Sequence, residues 1–191
     1  FPNGYRSERF YKRDRQESRA KFGWKEDMFI VGMVGSFDER KGVLRLQNAV
    51  DELDNVFFAC AGKGSLMPKS DKCIFAKAIK NEDLPYFYSA LDAFVLPTLN
   101  EGCCNAIIEA MACGCPIISS DLSFNDDILD NDCSIRVNPR DIMEIKNAIL
   151  LIKGNKEKRN TMSICSEKRS QLFTLKIRSK NIIKYMEIHA M

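Results

Sequence analysis

Histidine is nearly missing from this chain, which holds one among 191 residues, and tryptophan is just as scarce. His189 stands at the third position from the end and reads as a helix-end residue, so no His-based catalytic triad can be assembled here. Long apolar runs are also lacking. None approaches the ~20 residues needed to cross a bilayer, and the first residues, FPNG, lead straight into a charged segment rather than a secretory leader. Phosphate-binding G-x-x-x-x-G-K-[ST] does not occur. What is present is an apolar fraction of 45% beside 29% charged residues, a balance that excludes disorder and supports a real core in one domain.

The absence of an initiating Met, with turn chemistry in Pro2-Asn3-Gly4, makes the chain read as a piece cut at a linker. The formal charge of +3 is unevenly spread: residues 1–41 carry +3, residues 42–139 carry −7 and residues 140–191 carry +7. A basic C-terminal stretch without interleaved aromatic residues reads as a solvated helical face rather than a nucleic-acid surface. Peripheral contact with an anionic membrane remains open.

Eight cysteines suit a disulfide scaffold only in a small secreted protein. Cys60 and Cys73 fall inside strand-like runs and behave as small hydrophobes. Cys103, Cys104, Cys113 and Cys115 lack the repeated C-x-x-C spacing of structural zinc sites. Free thiols in a reducing cytoplasm follow, and no metal site is expected.

Apolar runs at residues 29–35, 56–61, 73–79, 93–96, 116–119 and 134–137 read as strands. Helical spacing connects them at residues 42–53, 84–91 and 105–113, and continues from 141 nearly to the end, with breaks near Gly154 and Phe173. Buried strands alternating with helices predict an α/β fold: a Rossmann-like, doubly wound parallel sheet that binds ligands at the carboxyl ends of its strands. The domain is expected over residues 15–172, after a linker at 1–14 and before a C-terminal helix at 173–191.

Four segments are candidates for chemistry. Gly62-Lys63-Gly64 lacks the third glycine of a dinucleotide fingerprint, because Met67 stands in its place, and reads as a plain turn. Asp130-Asn131-Asp132 has a metal-binding spacing, yet lies in a polar cluster typical of turns. Residues 97–114, PTLNEGCCNAIIEAMACG, place a small-residue loop between a strand and a helix start. Free backbone N–H groups and the positive end of a helix dipole there suit an anion such as a diphosphate. Glu101 precedes this loop and Glu109 follows about one turn into the helix. The pair can accept hydrogen bonds from ligand hydroxyls, or can be a capping acid and a surface residue. A second loop, Gly35-Ser36 to Arg40-Lys41-Gly42, follows the first strand. Gly35 permits close backbone approach, and Arg40 and Lys41 can clamp phosphate oxygens. Two such loops at one sheet edge favour the ligand reading.

The pattern Glu-Gly-x-x-Asn-x-x-x-Glu-Ala-Met-Ala-x-Gly-x-Pro, from Glu101 to Pro116, resembles the E-x7-E signature of glycosyltransferase family 4. Arg40-Lys41-Gly42 resembles that family's phosphate-contacting segment, and Pro2-Asn3-Gly4 with Arg9-Phe10 its interdomain linker. The resemblance implies the C-terminal, donor-binding half of a two-domain GT-B enzyme. Such an enzyme transfers a sugar from a nucleoside-diphosphate sugar with retention, usually without metal, to a saccharide or lipid-linked acceptor held by an N-terminal domain. It assigns Glu101 to the donor sugar and Glu109 to the ribose. It assigns Gly102, Cys103 and Cys104, opening the helix at Asn105, to the diphosphate cradle, and Lys41 and Arg40 to the charge on the leaving nucleotide. Ser36 departs from the family's usual Arg or Lys, and Lys77 stands near the base where Gly is common.

Overall fold

The structure is a computed structural model that describes residues 1–189. Six parallel strands form one sheet in the order β3-β2-β1-β4-β5-β6. They are β1 (Ile30–Val34), β2 (Phe57–Ala61), β3 (Cys73–Lys77), β4 (Ala93–Leu96), β5 (Ile117–Ser120) and β6 (Ser134–Val137). Apolar residues on both faces explain the burial. β4 is buried at every position, as is β5, so both must be covered on two sides.

The helices are α1 (Arg15–Phe22), α2 (Val43–Asp51), α3 (Leu84–Ser89), α4 (Asn105–Ala112), α5 (Ile142–Gly154), α6 (Lys156–Ser170) and α7 (Leu175–His189), the last of which buries no residue. α2 packs on α5, while α1, α3, α4 and α6 form a chain of contacts. From β1 the chain steps outward through β2 and β3, then returns to β4 and steps the other way through β5 and β6. With right-handed crossovers this reversal places α2 and α4 on opposite faces. It also creates a switch point between β1 and β4, where the loops that follow the two strands splay apart.

All six expected strands are present, with β3 ending at Lys77 and β5 starting at Ile117. The expected breaks fall between α5 and α6 and at the 3₁₀ turn Gln171–Phe173. Gly114 takes the left-handed conformation that ends α4, with φ of 75°. The sequence reading assigned no element to residues 15–22. Only two of that helix's eight residues are buried, so periodicity is weak there, and its signals lie in its caps: Asp14 accepts from the Glu17 N–H and Gly23 closes it.

The segment expected as a linker contributes Tyr5 and Phe10 to the core, and Tyr5 bridges to Thr174. The helix expected at 173–191 begins at Leu175, and Ala190 and Met191 lie outside the described residues. All eight thiols are unpaired, with Cys60, Cys104, Cys113, Cys115 and Cys133 buried.

Candidate functional site

The loop after β1 is turned by short-range chemistry, and the loop after β4 is held by bonds from distant segments. After β1, Gly35 adopts φ of 152° and Gly42 φ of 82°, conformations that disfavour side chains. Between them Asp38 organises the turn, accepting from the Ser36 hydroxyl at 2.5 Å and the Lys41 N–H at 2.8 Å. Burial raises the Asp38 pKa, but these bonds and the neighbouring charges of Arg40 and Lys41 outweigh it and hold the group below its ordinary value. Gly62-Lys63-Gly64 does more than turn the chain. Phe37 donates to the Lys63 carbonyl at 2.9 Å, and a Cβ on Gly62 would lie 1.8 Å from the Gly35 oxygen. Both glycines therefore let the loops after β1 and β2 pack backbone to backbone.

After β4, Ser120 donates to the Thr98 carbonyl at 2.5 Å and Arg45 to the Pro97 carbonyl at 3.0 Å. Leu99 donates to the Arg40 carbonyl at 2.9 Å, which stitches this loop to the first one. Glu101 thereby meets both cations. Its Oε1 accepts from Arg40 at 2.8 Å, from Lys41 and from Thr98 at 3.3 Å, while Oε2 has no partner among the described residues. Lys41 and Glu101 are mostly buried, whereas Arg40 is about half exposed and also lies 3.9 Å from Asp38.

Among the described residues, the N–H groups of Gly102, Cys103 and Cys104 find no acceptor. A Cβ on Gly102 would meet nothing within 4 Å, so the space above the loop is open. Cys104, the N-cap of α4, makes no side-chain capping bond, and Asn105 is exposed as the first helical residue. Gly42, the N-cap of α2, has no capping side chain either, so two uncapped helix starts share this edge. Sequence reasoning missed Asn3. Its N–H donates to the Cys103 sulfur at 3.1 Å and its amide to the Cys103 carbonyl at 3.5 Å, holding the loop from the N-terminal segment.

Glu109 stands apart from the ion-pair cluster. It is the fifth residue of α4, and Tyr88 donates to its Oε2 at 3.1 Å. Burial pushes this carboxyl up to about 7, against the lowering effects of Tyr88 and of the Arg9 charge. Tyr88 was also missed, since an aromatic residue in a short apolar helix reads as core.

Beyond β1, β2 and β3 a cavity of about 400 Å³ opens, bounded by Gly35, Ser36, Lys63, Ile79, Asn81 and Leu84. Lys77 does not line it. Its carbonyl accepts from Gly62 at 3.1 Å, and its ammonium lies 5.3 Å from the centre of the Phe75 ring.

Asp130 serves its own turn, accepting from the N–H groups of Asp132 at 3.1 Å and Cys133 at 3.0 Å, and pairing with Arg169 at 2.7 Å. Among the described residues, no three His, Cys, Asp or Glu side chains gather as a metal site, and no helix is long and apolar enough to cross a membrane.

Comparison with known proteins places this geometry. The family model "Glycosyl transferases group 1" matches residues 14–169. The UDP-Gal:alpha-D-GlcNAc-diphosphoundecaprenol alpha-1,3-galactosyltransferase of Escherichia coli is 29% identical over 176 residues, which is 81% of this chain and 45% of that protein. Sucrose-phosphate synthase from Thermosynechococcus elongatus superposes with a TM-score of 0.88 at 26% identity, over 99% of this chain and 52% of that one. Anabaena HepE, solved in complex with UDP and glucose, superposes with a TM-score of 0.85 at 18% identity, over 97% of this chain and 55% of that one. This chain thus spans about half the length of these proteins. The matched span takes in the sheet, both loops of the switch point and α4, and the chain belongs to the group 1 glycosyl transferases, with the GT-B fold of its structural neighbours.

Proposed function

We propose that this chain is the donor-binding part of a retaining, family 4 glycosyltransferase. The enzyme would move a sugar from a nucleoside-diphosphate sugar to a saccharide or lipid-linked acceptor in the assembly of a bacterial surface polysaccharide or glycolipid. One observation carries the reading: among the described residues the N–H groups of residues 102–104 have no acceptor, and they sit at the switch point beside Lys41 and Glu101, with open space at Gly102. That bed suits a diphosphate, because N–H donors at a helix start favour anions without a dedicated cation.

In this reading the diphosphate lies on residues 102–104 and the base enters the cavity beyond β1 to β3. Glu109 accepts from the ribose hydroxyls. Lys41 and Arg40 turn from Glu101 to the phosphate oxygens and oppose the charge that grows as the sugar–oxygen bond breaks, in place of a metal. Glu101, with Oε2 unused, takes the donor-sugar hydroxyls. The acceptor is held by a part of the enzyme outside these residues, so this chain alone transfers nothing. Work takes place at the cytoplasmic side, with peripheral membrane contact as an option for the basic C-terminal helices. The galactosyltransferase relative, whose name specifies a UDP-sugar and a diphosphoundecaprenol acceptor, and HepE, solved with UDP, support the donor class.

Titration calorimetry with UDP, GDP and ADP, repeated on Glu109→Ala, tests this. One nucleotide should bind, and the variant should bind it ten- to a hundredfold more weakly, as expected for ~1.5–3 kcal/mol of hydrogen bonding to a charged acceptor. Binding that ignores Glu109 and follows salt alone would replace the donor site with a polyanion surface.

A further inference from the structure

We propose that Tyr88 is a positioning residue for Glu109: its hydroxyl ties down one carboxylate oxygen and leaves the other aimed at the nucleotide ribose. The proposal rests on the donor-site reading above. Tyr88 is fully buried, its ring set against Phe94 at 5.6 Å, Phe87 at 6.3 Å and Phe10 at 6.4 Å between centroids. That cage fixes where the hydroxyl can point, and its bond is to Glu109 Oε2 at 3.1 Å. For packing alone a Phe would fill the same space. The hydroxyl has one use on this buried face, which is to satisfy half of a carboxylate that would otherwise be costly to keep ionised there.

The fold adds a register argument. Leu84, the first residue of α3, borders the cavity beyond β1 to β3, and Tyr88 lies four residues further on the same helix. One rigid turn therefore joins the wall of that cavity to the carboxylate assigned to the ribose, which fixes their relative positions. The groups that face Glu109 are Tyr88 from α3, Arg9 from the N-terminal segment, and the Cys113 thiol one turn along α4. Among the described residues only Tyr88 donates a hydrogen bond to it.

The test is Tyr88→Phe in this chain, read by calorimetry with whichever of UDP, GDP or ADP binds the wild type, from pH 6 to pH 9. Carbon-13 NMR of the Glu109 carboxyl is followed in parallel without nucleotide. Loss of the Tyr88 hydroxyl should move the carboxyl midpoint and the midpoint of the binding profile upward together, by roughly one pH unit. Near neutral pH the variant should bind about tenfold more weakly, and the deficit should shrink toward pH 9. In a Glu109→Gln background the profile should flatten, and adding Tyr88→Phe should then shift nothing. An unchanged profile in Tyr88→Phe would overturn the proposal, as would an equal loss at every pH, which marks damaged packing. If Tyr88→Phe does not fold, a binding profile in Glu109→Gln that keeps the wild-type midpoint also overturns it. A wild type that binds none of the three nucleotides is a distinct outcome and removes the donor-site reading itself.

Discussion

Two charge clusters sit at opposite edges of the same sheet, and they use their atoms differently. At the amino edge Asp92 accepts from Arg15 and Arg19, each at 2.9 Å, and from the Ile30 N–H at 2.7 Å. Arg19 is fully buried and spends its remaining donors on the carbonyls of Lys25, Glu26, Met28 and Ala90. At the carboxyl edge Glu101 crowds Arg40, Lys41 and Thr98 onto one oxygen and leaves the other unused. Helix starts at the switch point are open as well: α2 and α4 have no capping side chain there, whereas α1, α5 and α6, which begin elsewhere, are capped by Asp14, Asp141 and Asn155. A saturated cluster fastens the fold, and one with spare donors and acceptors is able to meet a ligand.

The largest effect should come from the saturated edge. Asp92→Ala strands a fully buried guanidinium and a buried N–H, and should lower unfolding stability by about 3–5 kcal/mol in denaturant titrations. A loss below about 1 kcal/mol would end the distinction between the edges.

Glu109 should show the intermediate effect, with opposite sign. Its folded pKa of about 7 lies above the ordinary carboxylate value near 4.5, so the folded state holds its proton more tightly than the unfolded chain. The favourable contribution is complete below pH ~4.5 and is lost as the pH rises through about 7. Glu109→Gln should therefore gain up to about 3 kcal/mol over the wild type at pH 8 and match it near pH 4, in paired unfolding curves.

Lys41→Ala should do least to the fold. Its partner Glu101 keeps Arg40, so stability should change by less than about 1 kcal/mol while nucleotide affinity falls roughly tenfold. An equal drop in stability would make the carboxyl edge structural as well.

Residues 97–114 were legible because their pattern is local: a strand end, a small-residue loop and a helix start occur in sequence order. The loop from Gly35 to Gly42 was legible for the same reason. Asn3, Tyr88, Arg19 and Asp92 were not. Asn3 meets Cys103 across 100 residues and Arg19 meets Asp92 across 73, separations at which no spacing rule applies. Lys77, which the family resemblance sets near the base, does not border the cavity beyond β1 to β3, whereas the next two residues, Ala78 and Ile79, do.

The sequence by itself determined the alternation of strands and helices, the parallel sheet that follows from strands apolar on both faces, and the position of both ligand-edge loops. These depend on periodicity and turn chemistry, which act over a few residues. Tertiary structure alone decided which charges are satisfied and which are left open. Arg19 and Arg40 are the same residue type. One is sealed by four carbonyls and Asp92, and the other leans across the switch point toward Glu101, because burial and partner count are set only when distant segments pack.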